Sequence, residues 1–542
     1  MSDASNVLDG WLGNPAPRAA DTDRVRALRH AGSPWAELRT LVAGVGTSGF
    51  AAADALLEAG AEVSVVDASA DGARREKGEL LRVLGAQVLL GPEHVQAPPR
   101  PWAAFDLVVT SPGWRPDAPL LTSAALAGVP VWGEVELGWR MRPDPAGGAP
   151  VAPWLTLTGT NGKTTTVELT ASILRAAGLR ATSAGNVGTP LVEALRHPHA
   201  FEVLAVELSS FQLHWLSTDT TASLRPLASA VLNLAPDHLD WHGSMDAYAR
   251  AKGRVYENTE RACVYNLADP RTEELVREAD VVEGARAIGF GLQVPRVGTL
   301  GVVEDVLADR AFVEQRRTSA AELCSFADLV PEGSGAPVAP HAVENVLAAA
   351  ALARAHGVPQ VAVRDGVRAF TPAPHRVQTV AEAGGVRWVD DSKATNAHAA
   401  EASLRAFEHV VWIAGGLAKG ARFDDLVERA AGRLRAAVLI GADRAALREA
   451  LARHAPDVPV VEVDLAQTGA VPDPSSDAPA QGREASAAAL MDAVVERAAA
   501  LARPGDTVLL APACASMDQF TDYAHRGDAF AAAVRRLTGR EG

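Results

Sequence analysis

The chain has 542 residues, 48% of them apolar and 22% charged, with a formal net charge of −15. That length is too great for a single core and points to roughly three or four domains of an ordinary globular protein. So acidic a balance excludes a general binder of nucleic acid or of anionic membrane, because phosphate-rich surfaces demand clustered Lys and Arg.

Cys263, Cys324 and Cys514 are scattered without CxxC spacing, so neither a disulfide framework nor a zinc site is expected. The first twenty residues are acidic and polar where a secretory signal needs basic and then apolar ones. No run approaches the roughly 18 apolar residues of a membrane span. The expected location is the cytoplasm, and the chain is expected to act as a monomer.

In chain order, residues 1–36 are rich in Gly, Pro, Asp and Ala and read as a loosely held leader. Residues 41–45 predict a strand, 50–60 a helix closed by Gly60, and 62–67 and 106–110 further strands. Strands alternating with helices predict a parallel sheet covered on both faces. A Pro- and Gly-rich stretch at 142–153 marks a first boundary, and Thr371-Pro372-Ala373-Pro374 a second. Between them lie predicted strands at 154–157, 203–207 and 230–234. Beyond them come strands at 386–390, 409–414, 437–440, 458–463 and 507–511, with a Pro-, Asp- and Ser-rich insertion at 466–482 read as a surface loop. The expected architecture is α/β in three tandem domains: a Rossmann-like one at 37–147, a P-loop-type mononucleotide-binding one at 148–372, and a Rossmann-like one at 373–542.

Gly44-Val45-Gly46-Thr47-Ser48-Gly49 satisfies GxGxxG between a strand and a helix, and Asp67 closes the next strand. This pattern accepts a diphosphate on the turn and a ribose hydroxyl on the acid. An NAD-type dinucleotide and a UDP-sugar fit it equally well.

The most informative stretch is Gly159-Thr160-Asn161-Gly162-Lys163-Thr164-Thr165, between the strand beginning at Trp154 and a long helical pattern. Such a turn gathers backbone N–H groups at a helix N-terminus, where an anion is favoured. Lys163 reaches terminal phosphates and the Thr164 hydroxyl suits magnesium, so ATP is the expected ligand. The spacing departs from the common phosphate loop, since Leu157 stands where that pattern has its first Gly.

Glu207 ends an apolar strand run and is placed to join Thr164 on magnesium. His238 lies in a loop with Asp237, Asp240 and His242 and is a candidate for a second ion or a substrate contact. Lys252, on a helix-compatible stretch, reads on composition alone as a solvated surface charge. The string Asp390-Asp391-Ser392-Lys393-Ala394-Thr395-Asn396 brings carboxylates, an ammonium and hydroxyls to a strand end, with Arg376 upstream. Ser516 has no nearby His–Asp partnership that would make it a hydrolase nucleophile, and Cys514 reads as a small buried residue.

Taken together, GVGTSG, SPG, GTNGKTT, GNVG, ELSSFQL, DH, AKGRVYEN, PHR, DDSKATN, GG..KG and PACASMDQF, in that order from about residue 38 onward, resemble the Mur ligases of peptidoglycan synthesis. The last string marks the branch that adds D-glutamate to UDP-N-acetylmuramoyl-L-alanine. The resemblance implies that Gly46, Thr47, Ser48, Asp67, Ser111 and Gly113 hold the UDP moiety, and that Asn186 and His238 contact the muramoyl part. It implies that Gly159 to Thr165 hold ATP phosphates, with Asn345, Arg376 and Asp391 on adenine, phosphate and ribose. Thr164, Glu207, His238 and Lys252, the last carried as a carbamate, would hold two magnesium ions, and Lys163, Lys252 and His238 would serve the chemistry. Thr395, Lys419, Ser516, Met517 and Tyr523 would form the D-glutamate pocket. The implied partners are ATP, UDP-N-acetylmuramoyl-L-alanine and D-glutamate. Two departures stand out: Ala342 replaces an Asn before Asn345, and Arg422 replaces an acid after the GG..KG turn.

Overall fold

The computed structural model describes residues 18–148, 151–217, 219, 222–330, 338–371, 374–464 and 480–539. Three sheets dominate, and they fall into two compact units. The first two sheets lie in Met1–Leu234 with Trp241–Phe370, and the third lies in Thr371–Gly542 with Ala235–Asp240.

The first sheet contains β1 (Arg39–Ala43), β2 (Glu62–Asp67), β3 (Gln87–Leu90), β4 (Leu107–Thr110) and β5 (Val131–Gly133), in the order β3-β2-β1-β4-β5. All four pairings are parallel. The central strands are continuous Val/Leu/Ala runs, as expected where helices cover both faces. Strand order reverses beside β1, so the GVGTSG turn at its carboxyl end opens into the crevice where such sheets bind ligands.

The second sheet contains β6 (Trp154–Thr158), β7 (Ala181–Gly185), β8 (Val203–Glu207), β9 (Ala228–Val231), β10 (Ala262–Asn266), β11 (Arg286–Phe290), β12 (Thr299–Val303), β13 (Val306–Asp309) and β14 (Ala321–Ser325). Its order is β14-β13-β12-β11-β10-β9-β6-β8-β7, parallel except for the β12–β13–β14 meander. The order reverses beside β6, and the helix Lys163–Ala176 leaves its carboxyl end. That helix packs on Pro340–His356, whose Ala348–Ala351 stretch is buried in the same core.

The third sheet contains β15 (Gln378–Ala383), β16 (Val386–Asp390), β17 (Val410–Gly415), β18 (Leu434–Ile440), β19 (Val460–Glu462) and β20 (Thr507–Leu510), in the order β15-β16-β20-β17-β18-β19. Only β15 runs antiparallel to its neighbour. The final strand β20 inserts between β16 and β17, which brings DDSKATN, PACASMDQF and GG..KG to three adjacent strand ends.

Two sequence expectations change. Residues 18–36 are not loose: Val25, Leu28 and Trp35 are buried in the first sheet's core. Asp21 lies 3.2 Å from Arg140, which also pairs with Glu136 at 2.7 Å, all three out of solvent. Asp21, Val25 and Leu28 are spaced i, i+4 and i+7, but the α-helix there, Asp23–Arg26, is too short to stand out in the sequence. The strand expected at 230–234 is instead β9, ending at Val231. Of the expected loop at 466–482, residues up to 479 lie outside the described residues, as do residues 1–17 of the leader, and a helix begins at Ala480.

Candidate active site

The turn after β6 is held from below by Asn233. The Thr160 amide donates to the Asn233 carbonyl at 3.0 Å, and the Asn161 amide to its side-chain oxygen at 2.8 Å. The Asn233 amide nitrogen returns a bond to the Asn161 carbonyl at 3.2 Å. Gly162 caps the helix at φ +81°, a left-handed conformation that glycine adopts without penalty. A Cβ there would also lie 2.4 Å from the Asn345 side-chain oxygen. Asn345 itself accepts from Thr166 at 3.3 Å, so this residue buttresses the turn from 183 positions away. The result is a rigid loop whose helix points its N-terminal amides outward, the arrangement that suits a phosphate.

Two lysines meet on that loop. Lys163 Nζ donates to the Gly159 and Thr160 carbonyls, each at 2.9 Å. Lys252 Nζ donates to the same Gly159 carbonyl at 2.8 Å and lies 3.3 Å from the Thr158 hydroxyl. Lys252 is only 2% exposed, with its ammonium 4.7 Å from the centre of the Tyr248 ring. The composition-based reading of Lys252 as a solvated charge is therefore overturned. A helix sequence does not reveal which face the rest of the fold covers, and here that face turns into the loop. Tyr248, four residues earlier, bonds the Thr160 hydroxyl at 3.0 Å. The sequence reading missed Tyr248 and Asn233, although Asn233 lies within the predicted strand at 230–234.

Glu207 occupies the end of β8, as expected, and is 1% exposed. Its Oε1 accepts from the Asn186 side chain at 2.8 Å, and the Asn186 amide donates to the Glu207 carbonyl at 2.9 Å. Its Oε2 is buried with no hydrogen-bond partner. Water-starved carboxylate oxygens are costly unless something binds them. Thr164, on the first turn of the helix, is also buried. Among the described residues, no group of three or more His, Cys, Asp or Glu side chains gathers as a ready-made metal cluster. A hard-cation site of one carboxylate and one hydroxyl needs ligands from elsewhere, such as substrate oxygens or water.

His238 belongs to the Ala235–Asp240 segment that groups with the second unit. Its backbone is left-handed at φ +52°, its amide bonds Asp237 at 2.9 Å, and its ring lies 3.5 Å from the same carboxylate.

In the first sheet, the glycines of GVGTSG divide the work. Gly44 sits at φ +102°, and a Cβ on Gly49 would lie 2.0 Å from the Gly44 carbonyl, so helix and turn touch there. A Cβ on Gly46 would meet nothing within 4 Å, which leaves that edge open to a ligand beside Thr47 and Ser48. Asp67 accepts from the Val45 amide at 2.7 Å and the Ser69 amide at 2.8 Å, bracing both sides of the opening. Ser111 Oγ, buried behind Gly44, has no partner, and Gly113 follows in the same β4–helix connection.

In the third sheet, the β17 and β20 loops are tied by paired Leu417 and Ala515 backbone bonds at 2.9 and 3.0 Å. Lys419 is exposed beside this bridge at φ +50°, Ser516 is buried on its other side, and Met517 is exposed. Lys393 bonds the Tyr523 hydroxyl at 2.7 Å and stacks over its ring. Thr395 follows on the same loop. Arg526, fully buried, donates to the Ser392 and Cys514 carbonyls, and burial pulls it down to about 10. Burial likewise pushes the Cys514 thiol up to about 12, in keeping with a small residue packed out of solvent. Asp391 is buried, accepting from the Val377 amide at 3.3 Å and from the Ser403 hydroxyl, and desolvation raises its carboxyl to about 6.

The fold and these strand-end loops define a multidomain α/β protein whose second sheet ends β6 in a glycine-rich turn at a helix N-terminus. The family profile "Mur ligase middle domain" matches residues 157–353, and "Mur ligase, glutamate ligase domain" matches 375–514. The chain is 57% identical over 496 residues to the UDP-N-acetylmuramoylalanine–D-glutamate ligase of Streptomyces coelicolor, covering 92% of this chain and 97% of that one. Its identity to the protein of that name from Thermobifida fusca is 54% over 504 residues, covering 92% and 99%. Among solved structures, MurF from Acinetobacter baumannii superposes with a TM-score of 0.53 at 16% identity, covering 97% of this chain and all of that one. The chain belongs to the Mur ligase family.

Proposed function

We propose that this chain is the ATP-dependent ligase that joins D-glutamate to UDP-N-acetylmuramoyl-L-alanine. The observation that carries the reading is the loop after β6, where Lys163, Lys252 and the helix N-terminus converge, on the strand paired with β8, whose terminal Glu207 keeps one carboxylate oxygen unsatisfied. Identity of 57% over nearly the whole chain to a relative named for that reaction supports the substrate choice. Three functional regions follow: 37–147 for the UDP moiety, 148–372 for ATP and 373–542 for the amino acid, with ATP and both acceptors handled in the cytoplasm by a monomer.

A free carboxylate is a poor acylating agent. Its oxygen attacks the γ-phosphorus of ATP, the bond to the β,γ-bridging oxygen breaks, and an acyl phosphate and ADP result. The D-glutamate nitrogen then adds to the carbonyl carbon, loses a proton, and inorganic phosphate leaves as the amide forms. Lys163 and the helix N-terminus would hold the nucleotide phosphates and offset charge spreading onto the transferred group. The donor chemistry of Thr164 and of the orphaned Glu207 oxygen fits magnesium, which supplies charge neutralisation of the phosphates when bound. Asn186 would fix the Glu207 carboxylate so that one oxygen stays available. Lys252, carbamylated, would add a second anionic ligand, and His238 a further contact to ion or substrate. Gly46, Thr47, Ser48, Asp67, Ser111 and Gly113 would receive the UDP group. Asn345, Arg376 and Asp391 would serve the nucleotide, and Thr395, Lys419, Ser516, Met517 and Tyr523 the D-glutamate.

Phosphate release from ATP, UDP-N-acetylmuramoyl-L-alanine and D-glutamate tests the reading. Omission of any one component should abolish release; release that continues without D-glutamate overturns it.

A further inference from the structure

The turn His375-Arg376-Val377 is left-handed on both sides of the arginine, with φ +63° at His375 and +46° at Val377. Neither residue is a glycine, and a β-branched valine in this region is a genuine outlier. Such conformations persist only where the surroundings over-determine them. Here the clamp is visible. His375 Nδ1 donates to Asp390 Oδ2 at 2.6 Å, the tautomer following from the carboxylate acceptor. The His375 carbonyl accepts from the Lys393 amide at 3.3 Å, and the Val377 amide donates to Asp391 at 3.3 Å.

Asp390 is the rigid side of this clamp. It is 1% exposed, it ends β16 in register with Leu510 of β20, and its second oxygen accepts from the Ser392 amide at 2.9 Å. The neighbouring carboxylates thus divide the strained turn between them, Asp390 taking the ring before Arg376 and Asp391 the amide after it.

We propose that Asp390 is a positioning residue: through His375 it holds a strained turn that fixes the backbone on both sides of Arg376, the proposed nucleotide contact. The inference rests on the proposed ATP contact of Arg376. It assigns to Asp390 no contact with substrate.

The test compares Arg376→Ala, Asp390→Ala and Asp390→Asn by steady-state kinetics, with an imidazole N–H proton spectrum of the full chain. Arg376→Ala should raise the KM for ATP about tenfold or more, the loss expected for a charge-assisted phosphate contact. Asp390→Ala should reproduce most of that rise while the KM for D-glutamate stays within about twofold. It should also erase the downfield His375 N–H signal. Asp390→Asn, which keeps an acceptor but not the charge, should fall between. If Asp390→Ala does not fold, Asp390→Asn decides. An unchanged ATP KM in the Asp390 variants, or an equal rise for every substrate, overturns the positioning role while Arg376→Ala still reports the ATP contact. An unchanged ATP KM in Arg376→Ala overturns that contact and this inference with it.

Discussion

Lys163 and Lys252 donate to one and the same oxygen, the Gly159 carbonyl, at 2.9 and 2.8 Å. Two ammonium groups are 89 positions apart in sequence, one at the start of a helix and one near the end of another, yet both lean on the same peptide. The loop stores two cations with little water around the second of them. Carbamylation of Lys252, as proposed, would turn one of these two cations into an anion beside the other.

Lys252→Ala should therefore lose most of its turnover, by about 10²- to 10³-fold if the group stabilises transferred charge. Short carboxylic acids such as formate or acetate should restore part of the rate by replacing the missing anion. Full activity in the alanine variant, measured by phosphate release, would reject the carbamate.

Glu207 offers a second test. Chelation should stop turnover and added magnesium should restore it. Glu207→Gln should raise the magnesium concentration needed for half-maximal rate by about tenfold, because an amide oxygen is a weaker ligand for a hard cation. Asn186→Ala, which frees Glu207 Oε1, should shift the same titration in the same direction by less. A Glu207→Gln curve that overlays the parent's would remove the carboxylate from the metal site.

The glycines of GVGTSG predict opposite phenotypes. Gly49→Ala forces a methyl onto the Gly44 carbonyl, 2.0 Å away, and should lower stability by about 1–3 kcal/mol. Gly46→Ala meets no protein atom within 4 Å and should melt like the parent. It should instead raise the KM for the UDP-substrate, since the methyl points into the opening. Calorimetric melting with initial-rate kinetics separates the two.

Glu134 makes stability depend on pH. It is 1% exposed, accepts from the Val192 amide at 3.3 Å, and burial raises its carboxyl to about 7 from 4.5. The folded state holds the proton more tightly than the unfolded one, so this contribution is complete below 4.5 and is lost as pH rises through 7. The shift corresponds to about 3 kcal/mol by linkage. Glu134→Gln should melt higher than the parent at pH 8 and level with it near pH 4.5. Asp391 titrates in the same sense at about 6 and leaves a residual slope. A parent-like pH dependence in Glu134→Gln would show that the carboxyl is not the source.

The loops after β1, β6 and β16 were legible because a glycine- or hydroxyl-rich turn between an apolar strand and a helix is a local signal. Glu207 was legible for the same reason, as a lone charge closing an apolar run. The burial of Lys252 was not, since it depends on which helix face the rest of the chain covers. Nor was the contact of Asn345 with Gly162, because nothing local couples two positions so far apart. The leader was misread because its anchors Asp21, Val25 and Leu28, although spaced i, i+4 and i+7, sit on an α-helix of only four residues, Asp23–Arg26, among Gly, Pro and Asp. The left-handed turn at His375 and Val377 was not legible either, because no Gly or Asn marks it and a β-branched valine argues against it.

The N-terminal anchor also imposes an order on synthesis. Asp21 Oδ2 accepts from Ser217 Oγ at 2.7 Å across 196 positions, while Glu136 Oε2 accepts from the Ser217 amide and the Ser223 hydroxyl. At about 5–20 residues per second, the ribosome needs about 10–40 s to deliver these partners after Asp21 emerges. Throughout that interval the Asp21–Arg140–Glu136 set lacks the donors that satisfy it. The first sheet's ionic cluster is thus completed by residues made long after its own last strand, and nascent chains halted short of Ser217 carry that cluster without its serine donors.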